Sequence, residues 1–237
     1  PTERCHDNDD DDHDDDDESS VDPHVHAQFV QFDEEKTTRF VQNCKANNCT
    51  VQGALTAAHM ICLINEKKKG QADENQVMNI VPCNMRGDIG LSNDDLVCGS
   101  AALIWPQVAH ADQSVWSVAS EASRLLHEAK RDKYGMKWWI KLNNMVETQP
   151  YSIMSSSMGV VDLGEAELKR IRVLDARFMG STYATQRDKA GTMTHAFTRA
   201  GRFNYDWSFT VPALSVKLGE KFGDNLQLIL YYYWSWS

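Results

Sequence analysis

The chain has 237 residues, of which 42% are hydrophobic, so it is long enough to bury a sizeable core. Its formal net charge of −10 is uneven, because residues 1–20 carry eleven acids and one arginine and leave 23 charges of each sign in the remainder. A neutral body gives no electrostatic reason to bind nucleic acid or an anionic membrane. No run of 18 apolar residues occurs, so no membrane span is predicted.

Residues 1–22 are predicted to be a disordered acidic tail, because a run of like charges cannot bury apolar surface. Loose cation binding by this run is the alternative, although its spacing does not match a calcium loop. The chain starts at Pro1 without a basic-then-apolar leader, and we expect it to be a fragment of a longer protein. Residues 23–237 are expected to form one lobe.

Six cysteines are scattered without a Cys-x-x-Cys pair. This pattern favours a reducing compartment over a disulfide framework or a zinc site, and it predicts a cytoplasmic protein.

The hydrophobic pattern changes after the tail. Residues 26–32 alternate as a strand, Asp33 has the position of a helix cap, and Thr50 opens a second helix that reaches about residue 65. The elements predicted beyond this point are strands over 76–83 (with Pro82 at the far end) and 96–108, a helix over 112–131, an apolar segment over 133–146, strands over 151–163 and 168–176, a hairpin over 192–197 and 201–210, and a Ser215-capped helix with Leu218, Phe222, Leu226 and Ile229 on one face.

Hairpin-linked strands therefore alternate with helical connections. This order predicts an α/β fold with a mixed β-sheet and helices packed on it.

Several short motifs follow one another at a characteristic spacing: residues 50–58 (TVQGALTAA), 81–86 (VPCNMR), Gly99, and 154–162 (MSSSMGVVD). Together they resemble the carboxy-terminal half of condensation-domain-like acyltransferases. This group includes alcohol acetyltransferases, phthiocerol dimycocerosyl transferases and condensation domains of nonribosomal peptide synthesis. The resemblance extends from about residue 26 to 230, and it departs from the family at Ser156 or Ser157, where asparagine is usual.

The resemblance implies a two-lobed fold like that of chloramphenicol acetyltransferase, of which this chain is the second lobe. In the family, a His-His-x-x-x-Asp-Gly motif on the first lobe supplies the general base. That base activates an alcohol or amine, which attacks a thioester on coenzyme A or a carrier protein. None of the eight histidines here stands in such a motif. The chain alone is therefore expected to be inactive. Its expected partners are the acyl donor, a small acceptor and the missing amino-terminal lobe, with no permanently bound cofactor.

The resemblance assigns roles to a few side chains. Arg86 would hold the motif aspartate across the lobe junction, the alternative being a solvated arginine at a strand end. Ser155, Ser156 and Ser157 would line the substrate channel near the thioester carbonyl, or would simply alternate outward from the sheet. Gly159 would allow close backbone approach or mark a bulge.

Two histidines have less specific interpretations. His59 lies among apolar residues of the second helix and is predicted to be a core histidine. His195 precedes the aromatic hairpin and is interpreted as a strand residue that faces solvent. A non-catalytic binding or scaffold protein that retains one lobe remains the alternative function.

Overall fold

The computed structural model describes six strands, four helices and one 3-10 turn. The strands are β1 (His24–Gln31), β2 (Gln76–Asn84), β3 (Ser100–Val108), β4 (Ser152–Val160), β5 (Thr192–Arg199) and β6 (Arg202–Val211). The helices are α1 (Glu34–Ala46), α2 (Val51–Lys67), α3 (Val115–Arg131) and α4 (Val216–Ser235), and the turn is Arg86–Ile89. The described residues are 24–67, 76–92, 100–109, 113–132, 152–161, 176–179, 192–211 and 214–235.

The strands form one mixed sheet in the order β1-β6-β5-β4-β2-β3. Strand β4 is parallel to both of its neighbours, whereas every other pairing is antiparallel. The described helices lie on one face of the sheet, the helix face. Phe40 of α1 and Phe222 of α4 contact alternate residues of β6 there, and Gln107 of β3 donates to the Val118 carbonyl of α3. The predicted α/β class is confirmed.

A polar side chain caps the start of each helix. The Asp33 carboxylate accepts from Lys36 N at 2.8 Å, and Thr50 Oγ1 accepts from Gly53 N at 3.0 Å. Ser114 and Ser215 accept in the same way from the amides three residues on. Because the first amides of a helix have no partner within it, these caps fix where the helices begin.

Helix α4 packs directly on the aromatic side chains of β6. The Trp207 ring stacks on Phe222 with centroids 4.4 Å apart, and its Nε1 donates to the Gly219 carbonyl at 3.0 Å. A side chain at Gly219 would collide with the Phe209 ring, so this side of α4 faces the sheet. The prediction that Leu218 lies on the packed face is wrong, since turning Gly219 inward leaves Leu218 41% exposed.

Most element boundaries agree with the sequence pattern. Strand β1 ends one residue before Phe32, which turns into the core, and β3 is described over Ser100–Val108, while the predicted start at residue 96 lies outside the described residues. The acidic tail, Gly99, the segment predicted over 133–146 and all but the last residue of the strand predicted over 168–176 lie outside the described residues. Among the described helices, none is long and apolar enough to cross a membrane.

Candidate functional site at the open edge of the sheet

Strands β2 and β4 separate soon after they meet. They pair only over residues 78–80 of β2 and 152–154 of β4. Beyond these residues β2 remains paired with β3, and β4 remains paired with β5. The sheet therefore opens at the carboxyl ends of parallel strands, which is where open α/β sheets bind ligands.

Gln52 of α2 occupies the position that β2 leaves. Its Nε2 donates to the Ser155 carbonyl at 3.3 Å, and its Oε1 accepts from Ser157 N at 2.7 Å. One residue of a parallel neighbouring strand would make the same two bonds, to the residues on either side of its partner. Buried backbone groups without a hydrogen-bond partner are costly. The Gln52 amide therefore stabilises β4 at the point where β2 no longer pairs with it.

The Ser155 hydroxyl is used within the helix–sheet interface. It accepts from Gln52 Nε2 at 2.7 Å and lies 3.0 Å from Thr56 Oγ1, and the residue is 1% exposed. Ser156 follows with the opposite side-chain direction and is half-buried. The three serines therefore do not share one face, and the Ser155 hydroxyl contacts α2 rather than open space.

The end of β4 carries a bulge. The β4–β5 register shifts between Ser157 and Val160, and Gly159 within it has a φ of +71°. A side chain at Gly159 would meet nothing within 4 Å. Met158 and Val160 on either side are 42% and 83% exposed. The strand end thus presents open and partly apolar surface.

Arg86 begins the 3-10 turn that follows β2, and its backbone N donates to Asn84 Oδ1 at 3.0 Å. Since β2 and β4 run in the same direction, Arg86 lies at the same edge of the sheet as Gly159. Its side chain is half-buried rather than fully solvated. The pairing of Arg86 with a carboxylate of another lobe stays a prediction.

A buried acid–base pair lies on the face of the sheet opposite the helices. His195 is 6% exposed, and its Nδ1 is 3.2 Å from Oδ2 of Asp206 on the adjacent strand. Burial raises the pKa of Asp206, and the hydrogen bond from His195 opposes that rise. The ring of Phe178 contacts the His195 ring edge-on, with centroids 5.0 Å apart. The expectation that His195 faces solvent is therefore wrong.

Gly201 is the sequence signal for this pair, because glycine is typical of the tight turns that join hairpin strands. Ala200 and Gly201 both have positive φ, which is typical of the tight two-residue turns that join hairpin strands. With that turn, the residues five positions away on either side, His195 and Asp206, must lie opposite each other. The first strand of the predicted hairpin ended at residue 197 and the second began at residue 201, which left the turn undefined, so the pairing was missed.

His59 is a core histidine, as predicted. It is fully buried and makes edge contacts with the rings of both Trp207 and Phe222, and its Nδ1 is 3.2 Å from Thr194 Oγ1. Burial lowers the pKa of His59 to about 3. A neutral, enclosed imidazole of this kind does not reach a substrate. The described residues also contain no group of three or more His, Cys, Asp or Glu side chains that could hold a metal ion.

Comparison with solved structures identifies the fold as that of condensation-domain-like acyltransferases. The condensation domain of the monacolin K polyketide synthase is 11% identical with a TM-score of 0.63, over 90% of this chain and 47% of that one. The epimerization domain of the third module of tyrocidine synthetase B is 12% identical with a TM-score of 0.61, over 90% and 48%.

A third similar structure is the trichothecene 15-O-acetyltransferase from Fusarium sporotrichioides. It is 10% identical with a TM-score of 0.56, over 88% of this chain and 47% of that one. The chain thus spans about half the length of these structures. No protein-family profile and no curated protein matches the sequence.

Proposed function

We propose that this chain is the second lobe of an acyltransferase that moves an acyl group from a thioester, on coenzyme A or a carrier protein, to an alcohol or amine. The observation that carries the proposal is the extent of the structural likeness, which includes about nine-tenths of this chain but only half of each similar structure. The names of those structures include condensation domains and an O-acetyltransferase, and both fit transfer to a nucleophilic heteroatom.

In this proposal the open edge of the sheet forms one wall of the substrate channel. The bulge at Gly159 leaves space in which a thioester carbonyl can approach the backbone. Hydrogen-bond donors held rigidly near such a carbonyl stabilise the oxyanion that forms during acyl transfer. The Gln52 amide supports this role because it fixes the neighbouring stretch of β4.

Arg86 has a positioning role in the proposal. At the same edge, its guanidinium would hold the aspartate of the His-His-x-x-x-Asp-Gly motif on the first lobe. Two parallel hydrogen bonds between a guanidinium and a carboxylate set geometry as well as energy. The half-buried environment of Arg86 supports such a partner better than a fully solvated position would.

The test begins with the reading frame upstream of Pro1. A His-His-x-x-x-Asp-Gly motif encoded there, followed by acceptor-dependent consumption of acyl-CoA by the protein made from the whole frame, is the expected result. A complete frame without the motif, whose product leaves a panel of acyl-CoA donors and alcohols unchanged, would reject the proposal.

The alternative is a binding or scaffold protein that keeps one lobe of the fold. The observation that favours this alternative is the exposure of Met158 and Val160 at the end of β4, since a protein partner would cover such apolar side chains. The same upstream sequence decides between the two functions.

A further inference from the structure

Three side chains of the types found in catalytic triads, a serine, a histidine and an aspartate, lie in one row across the sheet. Ser156 of β4 is the register partner of His195 on β5, and His195 is the register partner of Asp206 on β6. Neighbouring strands lie about 4.8 Å apart, and register partners project from the same face. A hydroxyl, an imidazole and a carboxylate are therefore consecutive along one line.

The face that carries this row follows from the neighbouring residues. Ser155 and Thr194, which are also register partners, both contact α2 through their hydroxyl groups. Since side chains alternate along a strand, Ser156 and His195 project from the opposite face. The segment 176–179 contributes the Phe178 ring there, next to His195.

Asp206 sets the proton arrangement of the row. It contacts Nδ1 of His195, so that nitrogen carries the proton and Nε2 has the free lone pair. Since Nδ1 is engaged by Asp206 on β6, Nε2 is the ring nitrogen left to take a proton from Ser156 on β4. Among the described residues, only Asp206 hydrogen-bonds to the His195 ring, and no group, His195 included, hydrogen-bonds to the Ser156 hydroxyl. The hydrogen bond between a nucleophile and its base is often long before a substrate binds.

We propose that Ser156 is an acyl-accepting nucleophile, activated by His195 and Asp206, and that it takes a short acyl group from a thioester or an activated ester. The Ser156 Oγ–acyl bond forms and the C–S bond of the thioester breaks. The hydroxyl proton passes to His195 Nε2 and from there to the departing thiolate. The thioester as donor rests on the proposed function, whereas the residue row does not.

The surroundings of the row restrict the acyl group. A small cavity beside Asp206 is lined by aromatic and polar side chains, including Phe29, Phe178 and Asn204. Arg177 covers the outer side with its guanidinium 5.4 Å from the Phe29 ring centroid. The Phe178 ring packs edge-on against His195, next to the row, so we expect a short acyl group to fit there better than a long one.

The test is intact-protein mass spectrometry after incubation with acetyl-CoA and, separately, with p-nitrophenyl acetate. We expect one acetyl group per chain, located by peptide mapping on Ser156, and little labelling by a long-chain acyl donor. Ser156→Ala and His195→Gln should abolish the label, and Asp206→Asn should slow it at least tenfold. Ser117→Ala, which alters an exposed serine of α3, is the matched control and should label like the wild type.

Melting curves establish whether each variant is folded. If His195→Gln is unfolded, the labelling of Ser156→Ala decides the test. Absence of a label from the wild type, or a label that persists in Ser156→Ala on a lysine or cysteine, would overturn the proposal. Acceptor-dependent acyl transfer by the longer protein, with no acyl group found on Ser156, would also overturn this role for Ser156 while leaving the proposed function intact. Labelling at Ser156 without acceptor-dependent transfer by the longer protein would support this role for Ser156 and reject the proposed function.

Discussion

Gln52 makes β4 stable at the point where β2 has departed, and its replacement measures that contribution. Gln52→Leu leaves the Ser157 amide and the Ser155 carbonyl without this partner. We expect a loss of about 1–3 kcal/mol in the free energy of unfolding, measured by urea titration. Gln52→Glu keeps an acceptor for Ser157 N but loses the donor, so its loss should be intermediate.

The control for this experiment is Gln42→Leu, which changes an exposed glutamine of α1. It should alter the free energy of unfolding by less than about 0.5 kcal/mol. Equal effects of the Gln42 and Gln52 variants would mean that the Gln52 amide does not act as part of the sheet.

His59 should make the protein sensitive to acid. Burial lowers the pKa of His59 in the folded state from the ordinary histidine value of 6.5 to about 3, so between these values the unfolded chain binds a proton that the folded chain does not. Stability is therefore retained above pH 6.5 and lost as pH falls, at about 1.4 kcal/mol per pH unit. The difference in unfolding free energy between the wild type and His59→Asn, followed from pH 7 downward, should show this slope.

His127→Asn, at an exposed position of α3, is the matched histidine control and should change the free energy of unfolding by less than about 0.5 kcal/mol. A wild-type curve that runs parallel to that of His59→Asn would show that His59 is not held neutral by burial.

Arg86 can be tested in the longer protein that carries the catalytic motif. If the guanidinium holds the motif aspartate, Arg86→Lys should already reduce kcat, since lysine keeps the charge but loses the two-pronged geometry. Arg86→Ala should cost on the order of 3–5 kcal/mol in stability, because it leaves a buried carboxylate uncompensated. Wild-type melting and turnover in both variants would identify Arg86 as an ordinary strand-end residue.

Sequence reasoning succeeded for residues whose role is local. Asp33 and Ser215 are predictable as caps, and Thr50 as the start of a helix, because a helix start depends only on the next few residues. The core position of His59 followed from its apolar helix neighbours. The role of Gln52 was missed because it depends on contacts more than 100 positions away, at Ser155 and Ser157.

At the scale of elements, α2 and α3 approach each other through a single glycine. A Cβ atom at Gly53 would lie 2.6 Å from the Ala119 carbonyl oxygen and would collide with the Ser123 hydroxyl. The same hydroxyl accepts from Thr50 N at 2.9 Å, so it helps to cap α2 from the neighbouring helix. The close approach thus stabilises both the helix pair and the start of α2.

Gly53→Ala should therefore destabilise the protein although alanine favours a helix by about 1 kcal/mol. The steric cost of adding a methyl group against a backbone carbonyl is about 1–3 kcal/mol, and we expect a net loss in urea titration. Gly87→Ala is the control, since a side chain there would meet nothing within 4 Å. A gain in stability for Gly53→Ala would mean that the two helices move apart at little cost.

The elements themselves were largely predictable, and their arrangement was not. Periodicity identified β6, where Phe203, Tyr205, Trp207 and Phe209 alternate with polar residues. It did not reveal that these polar residues are buried as well, including Asp206 at 3% exposure. The separation of β2 from β4 was also invisible, because pairing between distant strands leaves no local periodic signal.

At the scale of the whole molecule, the fold does not by itself determine which reaction the protein carries out. The sheet and helices resemble acyltransferases over nearly the full chain, but a fold hosts many functions and its sites decide which one operates. The Ser156–His195–Asp206 row begins on β4, which borders the open edge of the sheet, but it continues across β5 and β6 on the face opposite the helices. The open edge is proposed to act with another lobe, and the row with residues of this chain alone.

This separation leads to a prediction for the isolated chain. The motif histidine is proposed to lie on the other lobe, and loss of a general base lowers turnover by roughly 10²–10⁴-fold. We therefore expect no acceptor-dependent consumption of acyl-CoA by residues 1–237, even if Ser156 accepts a single acetyl group. Thioester consumption, measured with and without alcohols or amines, separates the two events. Turnover that increases with acceptor concentration in the isolated chain would show that one lobe suffices, and would refute the assignment of the general base to another lobe.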